Sequence, residues 1–376
     1  MKTGYFNERG DEFSVENYKL RRPILNYFWN DKFLAGVNNL GSGVGAYRGN
    51  TSFFFGLYGK PRAQMISNGS RYFYIQDNST GKLWNPGWYP VKEELDSYKC
   101  THGLGYTVVS GTKDDLKVTI TGTVDSKEAC ELWQVKLENL SSSKKSVTVF
   151  PYVEFSLEGY VNTSEYDSWV RAYYYEDENM IFANNNSEER PHPFYHGYCA
   201  TDIKASAYDT SKDKFLGTYG SIEYPEAIKN GGLTNSLAAC ERMVGAFENQ
   251  LDLAANGATT FHFVVGLTDS VENAKAVVKK VLVNGYFEEN LKHVNARKEE
   301  LASQMEFYSP DKKINDLANF WLKQQVQLCV EVGRGAGKGF RDQLQDSWAI
   351  ASFDKKVARD KIYETLEQIY HTGRCV

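Results

Sequence analysis

Leu116-Lys117-Val118-Thr119-Ile120, and then Trp133-Gln134-Val135-Lys136-Leu137, alternate apolar and polar residues one by one. A period of two places Leu116, Val118 and Ile120 on one face and Lys117 and Thr119 on the other, as a half-buried strand requires. The pattern extends outward from this pair. Ser141-Ser142-Ser143-Lys144-Lys145 is a polar break before Val147 and Val149 resume the alternation, which predicts a hairpin loop. Further strands are expected at Phe215-Leu216-Gly217-Thr218-Tyr219 and Phe261-His262-Phe263-Val264-Val265, with Asn256-Gly257 supplying a turn before the second. Many short strands and few helical stretches up to about residue 270 predict a large antiparallel β-sandwich.

Near residue 270 the period becomes helical. Ala274, Val277, Val278 and Val281 mark one amphipathic helix, and a charge-rich second one covers 287–306. A third starts at Asp311, whose carboxylate suits a helix N-terminus, and carries Ile314, Leu317, Trp321 and Cys329 on one face. A fourth spans 355–371, with Val357, Ile362, Leu366 and Tyr370 along one side. The expected organisation is therefore a sandwich over 1–270, a helical linker over 271–310, and the start of an all-helical domain over 311–376. Two or three helices do not close a helical domain, so these are expected to pack on the sandwich or on helices not included here.

Composition narrows the function. The net charge of −5, with basic and acidic residues interleaved, excludes the clustered Lys and Arg of a nucleic-acid surface. The N-terminus turns polar at once, and nothing approaches eighteen consecutive apolar residues, so neither a signal peptide nor a membrane span is expected. Six scattered cysteines without CxxC spacing fit buried or incidental thiols in a reducing cytoplasm better than a disulfide framework or a zinc site. His192 and His196 have helical metal spacing, but Pro191 and Pro193 break any helix there, and no metal site is expected. Aromatic residues reach 14%. They suit sugar stacking, although a large sandwich explains most of them, because Tyr and Phe favour strands.

The richest chemistry is Arg341-Asp342-Gln343-Leu344-Gln345-Asp346, behind the glycine-rich run Gly333-Arg334-Gly335-Ala336-Gly337-Lys338-Gly339-Phe340. Carboxylates and a guanidinium each bind vicinal hydroxyls through paired hydrogen bonds, so the group suits a polyhydroxylated ligand. Asp342 with Gln345 three residues later is equally a capping box ahead of Trp348, Ala349 and Ile350. Both readings stand on these residues alone.

Five patches in one order add a resemblance. They are Arg71-Tyr72-Phe73-Tyr74-Ile75-Gln76-Asp77, Leu83-Trp84-Asn85-Pro86-Gly87-Trp88-Tyr89-Pro90-Val91, Thr101-His102-Gly103-Leu104-Gly105-Tyr106-Thr107, Val149-Phe150-Pro151-Tyr152-Val153-Glu154-Phe155, and Gly339-Phe340-Arg341-Asp342 with Gln345-Asp346. On these the chain resembles the inverting disaccharide and oligoglucan phosphorylases of glycoside hydrolase family 94, typified by cellobiose and chitobiose phosphorylases. The resemblance implies a multidomain α+β chain: an antiparallel β-sandwich, a helical linker, and the first helices of a truncated (α/α)6 barrel. It implies that Arg341 and Asp342 hold the transferred glycosyl residue, with Asp346 beside them. Arg334 falls where the family has a phosphate-binding arginine. Arg171 falls where a sandwich arginine reaches the sugar site, in some members from a partner protomer, so a homodimer is implied for the full-length protein.

Two departures qualify the match. The loop before Gly339 is shorter than in the cellobiose type and carries only Arg334, which leaves that arginine open to phosphate or sugar. The Gln343-Leu344-Gln345 spelling looks more like oligoglucan phosphorylases and cyclic β-1,2-glucan synthases. The family's catalytic aspartate is expected beyond residue 376.

The implied reaction is inverting phosphorolysis of a β-linked gluco-disaccharide or oligoglucan to a sugar 1-phosphate. It needs no cofactor, inorganic phosphate being the co-substrate. Phosphate is already anionic and attacks by itself, so a single protein acid suffices. The neighbouring Arg341 suits Asp342 and Asp346 to binding hydroxyls rather than to donating a proton. This chain alone is therefore expected to be inactive. The alternative is a non-catalytic carbohydrate-binding β-sandwich protein.

Overall fold

The computed structural model describes residues 3–47, 64–157, 169–186, 195–332 and 339–375. Among them, two large antiparallel sheets stack face to face. One runs, in spatial order, through Tyr5–Phe6, Glu12–Val15, Ser97–Gly103, Tyr106–Lys113, Leu116–Val124, Cys130–Asn139, Ala258–Thr268, His196–Thr201, Met180–Asn185 and Val170–Tyr175. The other runs through Ala207–Ser211, Met243–Leu253, Lys145–Phe155, Gln64–Asp77, Gly43–Tyr47, Phe33–Asn38 and Leu25–Trp29, with the short Leu83–Trp84 paired to Gln64–Asp77. The alternation beginning at Leu116 is realised as expected: Leu116–Val124 pairs with Cys130–Asn139, Ile120 opposite Val135. Inward residues of both sheets, among them Val118, Trp133, Val149, Phe73 and Phe263, form one core. Phe73 bridges the sheets, its ring 5.6 Å from Trp133 and 5.8 Å from Phe263.

One turn reading needs correction. Ser141–Lys145 is not a hairpin loop, because Cys130–Asn139 and Lys145–Phe155 lie in different sheets. The inward faces of these strands meet across the core instead of side by side. Asn256-Gly257 does supply the expected turn, with Asn256 at φ +53°, and it too carries the chain between sheets, from Met243–Leu253 to Ala258–Thr268. The two crossovers are pinned to each other. Asn139 Nδ2 donates to Ser143 O at 2.7 Å and Ala254 O at 2.9 Å, and Asn256 N–H donates to Ser141 O at 3.0 Å. Alternation records which face of a strand is buried and is blind to which strand lies beside it.

The strand expected at 215–219 is also corrected. Lys212–Leu216 is a short helix, capped by Ser211 Oγ accepting from Lys214 N–H and ended by Gly217 at φ +87°, a conformation that L side chains disfavour. It places Phe215 over the outer face of the eight-stranded sheet, stacked on Tyr152 at 4.8 Å and close to Tyr74. Most of the aromatic excess is spent in this way, as sandwich packing.

Helix Val271–Val281 buries Ala274, Val278 and Val281 against Leu132, Phe182, Tyr198 and Val264 on the outer face of the ten-stranded sheet. Helix Tyr286–Ser303 follows, held by Tyr286 Oη donating to Asp125 at 2.7 Å and by Asn290, which bonds Ser126 N–H and Val124 O. Lys312–Asp316, a π-helical turn over Leu317–Trp321, and Leu322–Glu331 then form one interrupted helix. Phe340–Ile350 and Lys355–Leu366 complete the helices among the described residues. None of these is long and apolar enough to cross a membrane.

The face expected to be buried on the third helix is not the one buried. Ile314 and Leu317 are 48% and 52% exposed, Trp321 and Cys329 are half-buried, and the buried residues are Asp316, Lys323, Gln327, Leu328 and Val330. The π turn widens the helix by a residue, so a 3.6-period face drawn from Ile314 to Cys329 crosses a break in phase.

Candidate functional site

The helix that ends at Glu331 enters the site region from a firm base. Leu328 and Val332 pack on Leu34, Val44 and Ala46 of the eight-stranded sheet. Gln324 Nε2 donates to Tyr27 O at 2.9 Å, and Trp29 Nε1 donates to the Glu331 carboxylate at 2.8 Å. Lys323 is 2% exposed, and its ammonium donates to Leu301 O, Ala302 O and Met305 O at 3.1, 2.8 and 2.5 Å. A cation on the last carbonyls of helix Tyr286–Ser303 complements that helix's dipole. Burial lowers the Lys323 pKa from its ordinary value. At the start of the interrupted helix, Trp321 Nε1 donates to Gly10 O at 2.8 Å. Gly10 sits at φ +84°, and a Cβ there would strike the Asp316 carboxyl, so only glycine allows this approach.

Residues 333–338, and with them Arg334, lie outside the described residues. The chain is described again at Gly339, the N-cap of helix Phe340–Ile350. Asp342 is therefore the third helical residue, and the capping box expected at Asp342 and Gln345 lies one turn too late. Asp342 Oδ2 accepts from Gly339 N–H at 3.3 Å, and Asp342 N–H donates to Gly339 O at 3.0 Å. Glycine has no side chain to return the first bond, so only the carboxylate half of a capping box forms. Asp342 and Asp346 are one turn apart on the same side of the helix, half-buried and buried respectively, and Arg341 beside them is exposed.

The stripe beside these carboxylates is structural. Gln343 Oε1 accepts from Thr365 Oγ1 at 3.3 Å and its Nε2 donates to Gln368 Oε1 at 3.3 Å, while Ile350 packs with Val330, Leu301, Phe353 and Ala358. Gln343 is thus committed to the neighbouring helix and not to a ligand. The structure puts Arg341, Asp342 and Asp346 on one helix, the two carboxylates on one side of it, and leaves Arg171 elsewhere. Arg171 is exposed on Val170–Tyr175, the edge strand of the ten-stranded sheet, opposite Asn184. Among the described residues, no hydrogen bond or ion pair joins its side chain to helix Phe340–Ile350. Of the two histidines with metal spacing, His196 lies on a strand and accepts from Asn185 N–H at 3.0 Å, and His192 lies outside the described residues.

Sequence reasoning missed the docking set of Trp29, Glu331, Gln324 and Lys323. Its only advance signal was polar residues interrupting the apolar face of the third helix.

A two-sheet sandwich of this size, followed by helices packed on both outer faces, defines a class with known members. A bacterial glucoamylase solved in complex with acarbose shares the fold at a TM-score of 0.58 and 11% identity, over 96% of this chain and 53% of that one. Residues 12–283 match the family model of the glycosyl hydrolase 94 supersandwich domain, and the chain belongs to that family. Solabiose phosphorylase of Paenibacillus borealis is 42% identical over 373 residues, 99% of this chain and 49% of that protein. N,N'-diacetylchitobiose phosphorylase of Vibrio furnissii is 25% identical over 392 residues, 97% of this chain and 47% of that protein. The chain spans about half the length of the curated relatives it matches.

Proposed function

We propose that this chain supplies the sandwich, the linker and the first barrel helices of an inverting glycoside phosphorylase. The substrate is a β-linked gluco-disaccharide or oligoglucan, and the product is a sugar 1-phosphate. The observation that carries this reading is the 42% identity to solabiose phosphorylase over 99% of the chain, a span that takes in the sandwich and helix Phe340–Ile350 alike. In this reading the sandwich is 1–270, the linker 271–310 and the barrel begins at 311.

Arg341, Asp342 and Asp346 hold hydroxyls of the transferred sugar. Asp342 meets them already oriented, because Gly339 N–H fixes one of its oxygens. Arg334 holds phosphate against the anomeric carbon, and Arg171 reaches a sugar site from the edge of the sandwich in a homodimer. Phosphate is the nucleophile, and a carboxylic acid outside this chain protonates the leaving oxygen. No cofactor takes part, and the enzyme works in the cytoplasm.

The test is a chimera in which residues 1–376 replace the matching half of the solabiose phosphorylase. It should release sugar 1-phosphate from a disaccharide and inorganic phosphate, whereas residues 1–376 alone should not. In that chimera Asp342→Asn should lower kcat/KM at least tenfold, or about 1.4 kcal/mol, since a bidentate sugar contact loses its charge while keeping its shape. A folded chimera without phosphorolysis of any β-glucoside sinks the reading, and unchanged kinetics in Asp342→Asn remove that residue from the site.

A further inference from the structure

Strand Leu25–Trp29, helix Tyr286–Ser303 and helix Leu322–Glu331 meet around a cavity of about 160 Å³, well before the helix that carries Arg341 and Asp342. Half-buried Trp29 and Val294 give it apolar surface over the buried Phe28, Leu104 and Leu301, and Arg297, Gln324 and Gln327 give it polar surface. A cavity of about 150 Å³ is enough for a benzene, so one six-membered ring is the size class that fits. A purely apolar ring does not suit these walls. Gln327 is 8% exposed, and among the described residues its amide makes no hydrogen bond. Such an amide has both a donor and an acceptor to satisfy, and a hydroxyl answers both.

An anion does not suit them either, because Lys298, Arg297 and the His293 imidazole at the rim each already face a carboxylate. Lys298 lies 3.2 Å from Asp11, Arg297 3.7 Å from Glu331, and His293 3.7 Å from Glu289. The Arg297 contact is too long for a direct hydrogen bond, which leaves guanidinium donors for a neutral oxygen.

We propose that this cavity binds a single uncharged monosaccharide, its ring against Trp29 and Val294 and its hydroxyls on Gln327, Gln324 and Arg297. The site is built from the sandwich and both helices, so its occupant ties them together and stabilises their docking. The inference does not depend on the phosphorylase reading.

Titration calorimetry with D-glucose on the full chain tests it, in an Asp342→Asn background that weakens the other sugar contact. One glucose should bind per chain and raise the melting temperature. Val294→Trp, which fills the cavity from its wall, and Gln327→Leu, which removes the unpaired amide, should each weaken binding about tenfold or more. Hydrogen exchange should slow with glucose in 293–301 and 324–327 of the unsubstituted chain, a readout that needs no variant to fold. Absence of saturable glucose binding overturns the proposal. So does binding that both folded variants retain, protection confined to other segments, or binding of inorganic phosphate or cyclohexanol where glucose fails.

Discussion

In strand Leu116–Val124 the apolar residues Leu116, Val118 and Ile120 face the core, whereas in the helical run from Lys312 to Glu331 Lys323 and Gln327 are buried beside Leu328 and Val330 while Leu317 is exposed. The sandwich closes on itself. Its polar insertions are pairs, such as Arg71 and Glu131, both fully buried and joined by two charge-assisted bonds, with the guanidinium 4.7 Å from the Trp133 ring centroid. The helices after Asp311 turn toward the sandwich and helix Tyr286–Ser303 with an amide, an ammonium and an indole N–H as well as with Leu328, Val330 and Val332. Apolar side chains remain on their other side, including Trp348 at 81% exposure. Burial within the sandwich is thus hydrophobic, and docking of the helices adds directed hydrogen bonds to the apolar contact of Leu328 and Val332 with Leu34, Val44 and Ala46. Substitutions should have correspondingly different costs.

The largest cost is expected inside the sandwich. Glu131→Ala removes one partner of a fully buried pair and leaves the Arg71 charge uncompensated, which should cost about 3–5 kcal/mol. Denaturant unfolding of the purified chain measures this. A double replacement of the pair by apolar residues of similar volume should recover much of the loss, and a Glu131→Ala cost below about 1 kcal/mol would show that the pair is solvated.

Next is a pH effect of the same region. His102 is buried beside Cys100 and bonds Thr107 Oγ1 at 3.0 Å, and burial lowers its pKa from the usual 6.5 to about 4. Between these values the unfolded chain takes up a proton that the folded chain refuses. Stability from this group is therefore complete above about pH 6.5 and falls as the pH drops toward 4, by about 3 kcal/mol in all. Unfolding free energies from pH 7 to pH 4 should show this slope, and His102→Gln should flatten it. An identical slope in the variant assigns the acid sensitivity to other groups.

How far this contrast is legible in sequence depends on the period that carries it. The sandwich strands were readable because alternation survives any arrangement of neighbours; their partners were not, and Ser141–Lys145 reads equally as a hairpin or a crossover. The helices were readable from spacing at Ala274, Val278 and Val281, but a π turn at Leu317–Trp321 displaced the buried face beyond it. In the candidate site, Arg341, Asp342 and Asp346 were found together because a single helix brings together residues near in sequence. Trp29 and Glu331 are three hundred positions apart, and no local pattern links them.

At the docking surface the expected effect is intermediate. Lys323→Met keeps the length and apolar stem of the side chain but leaves Leu301 O, Ala302 O and Met305 O without their donor. The loss should be about 1–3 kcal/mol. Hydrogen exchange should place it in 286–303 and 312–331, with the sandwich strands unaffected. Equal loosening of strand Leu116–Val124 would mean that the two regions unfold as one unit.

The smallest effect is expected where the contrast is sharpest. Leu317→Ser exchanges an apolar residue that is 52% exposed and lies in the π turn, close to Ile314 at 48%. Little area leaves water on folding at either position, so the unfolding free energy should change by no more than about 0.5 kcal/mol. The same substitution shrinks an exposed apolar patch, and such patches promote association. Sedimentation of the chain at rising concentration should therefore show less self-association in Leu317→Ser, at nearly unchanged stability. Glu131→Ala should do the reverse, lowering stability without reducing association of the folded form. If Leu317→Ser instead destabilises the chain by about 2 kcal/mol or more, this face is packed in solution, and the division between a self-closed sandwich and an apolar outer helical face is wrong.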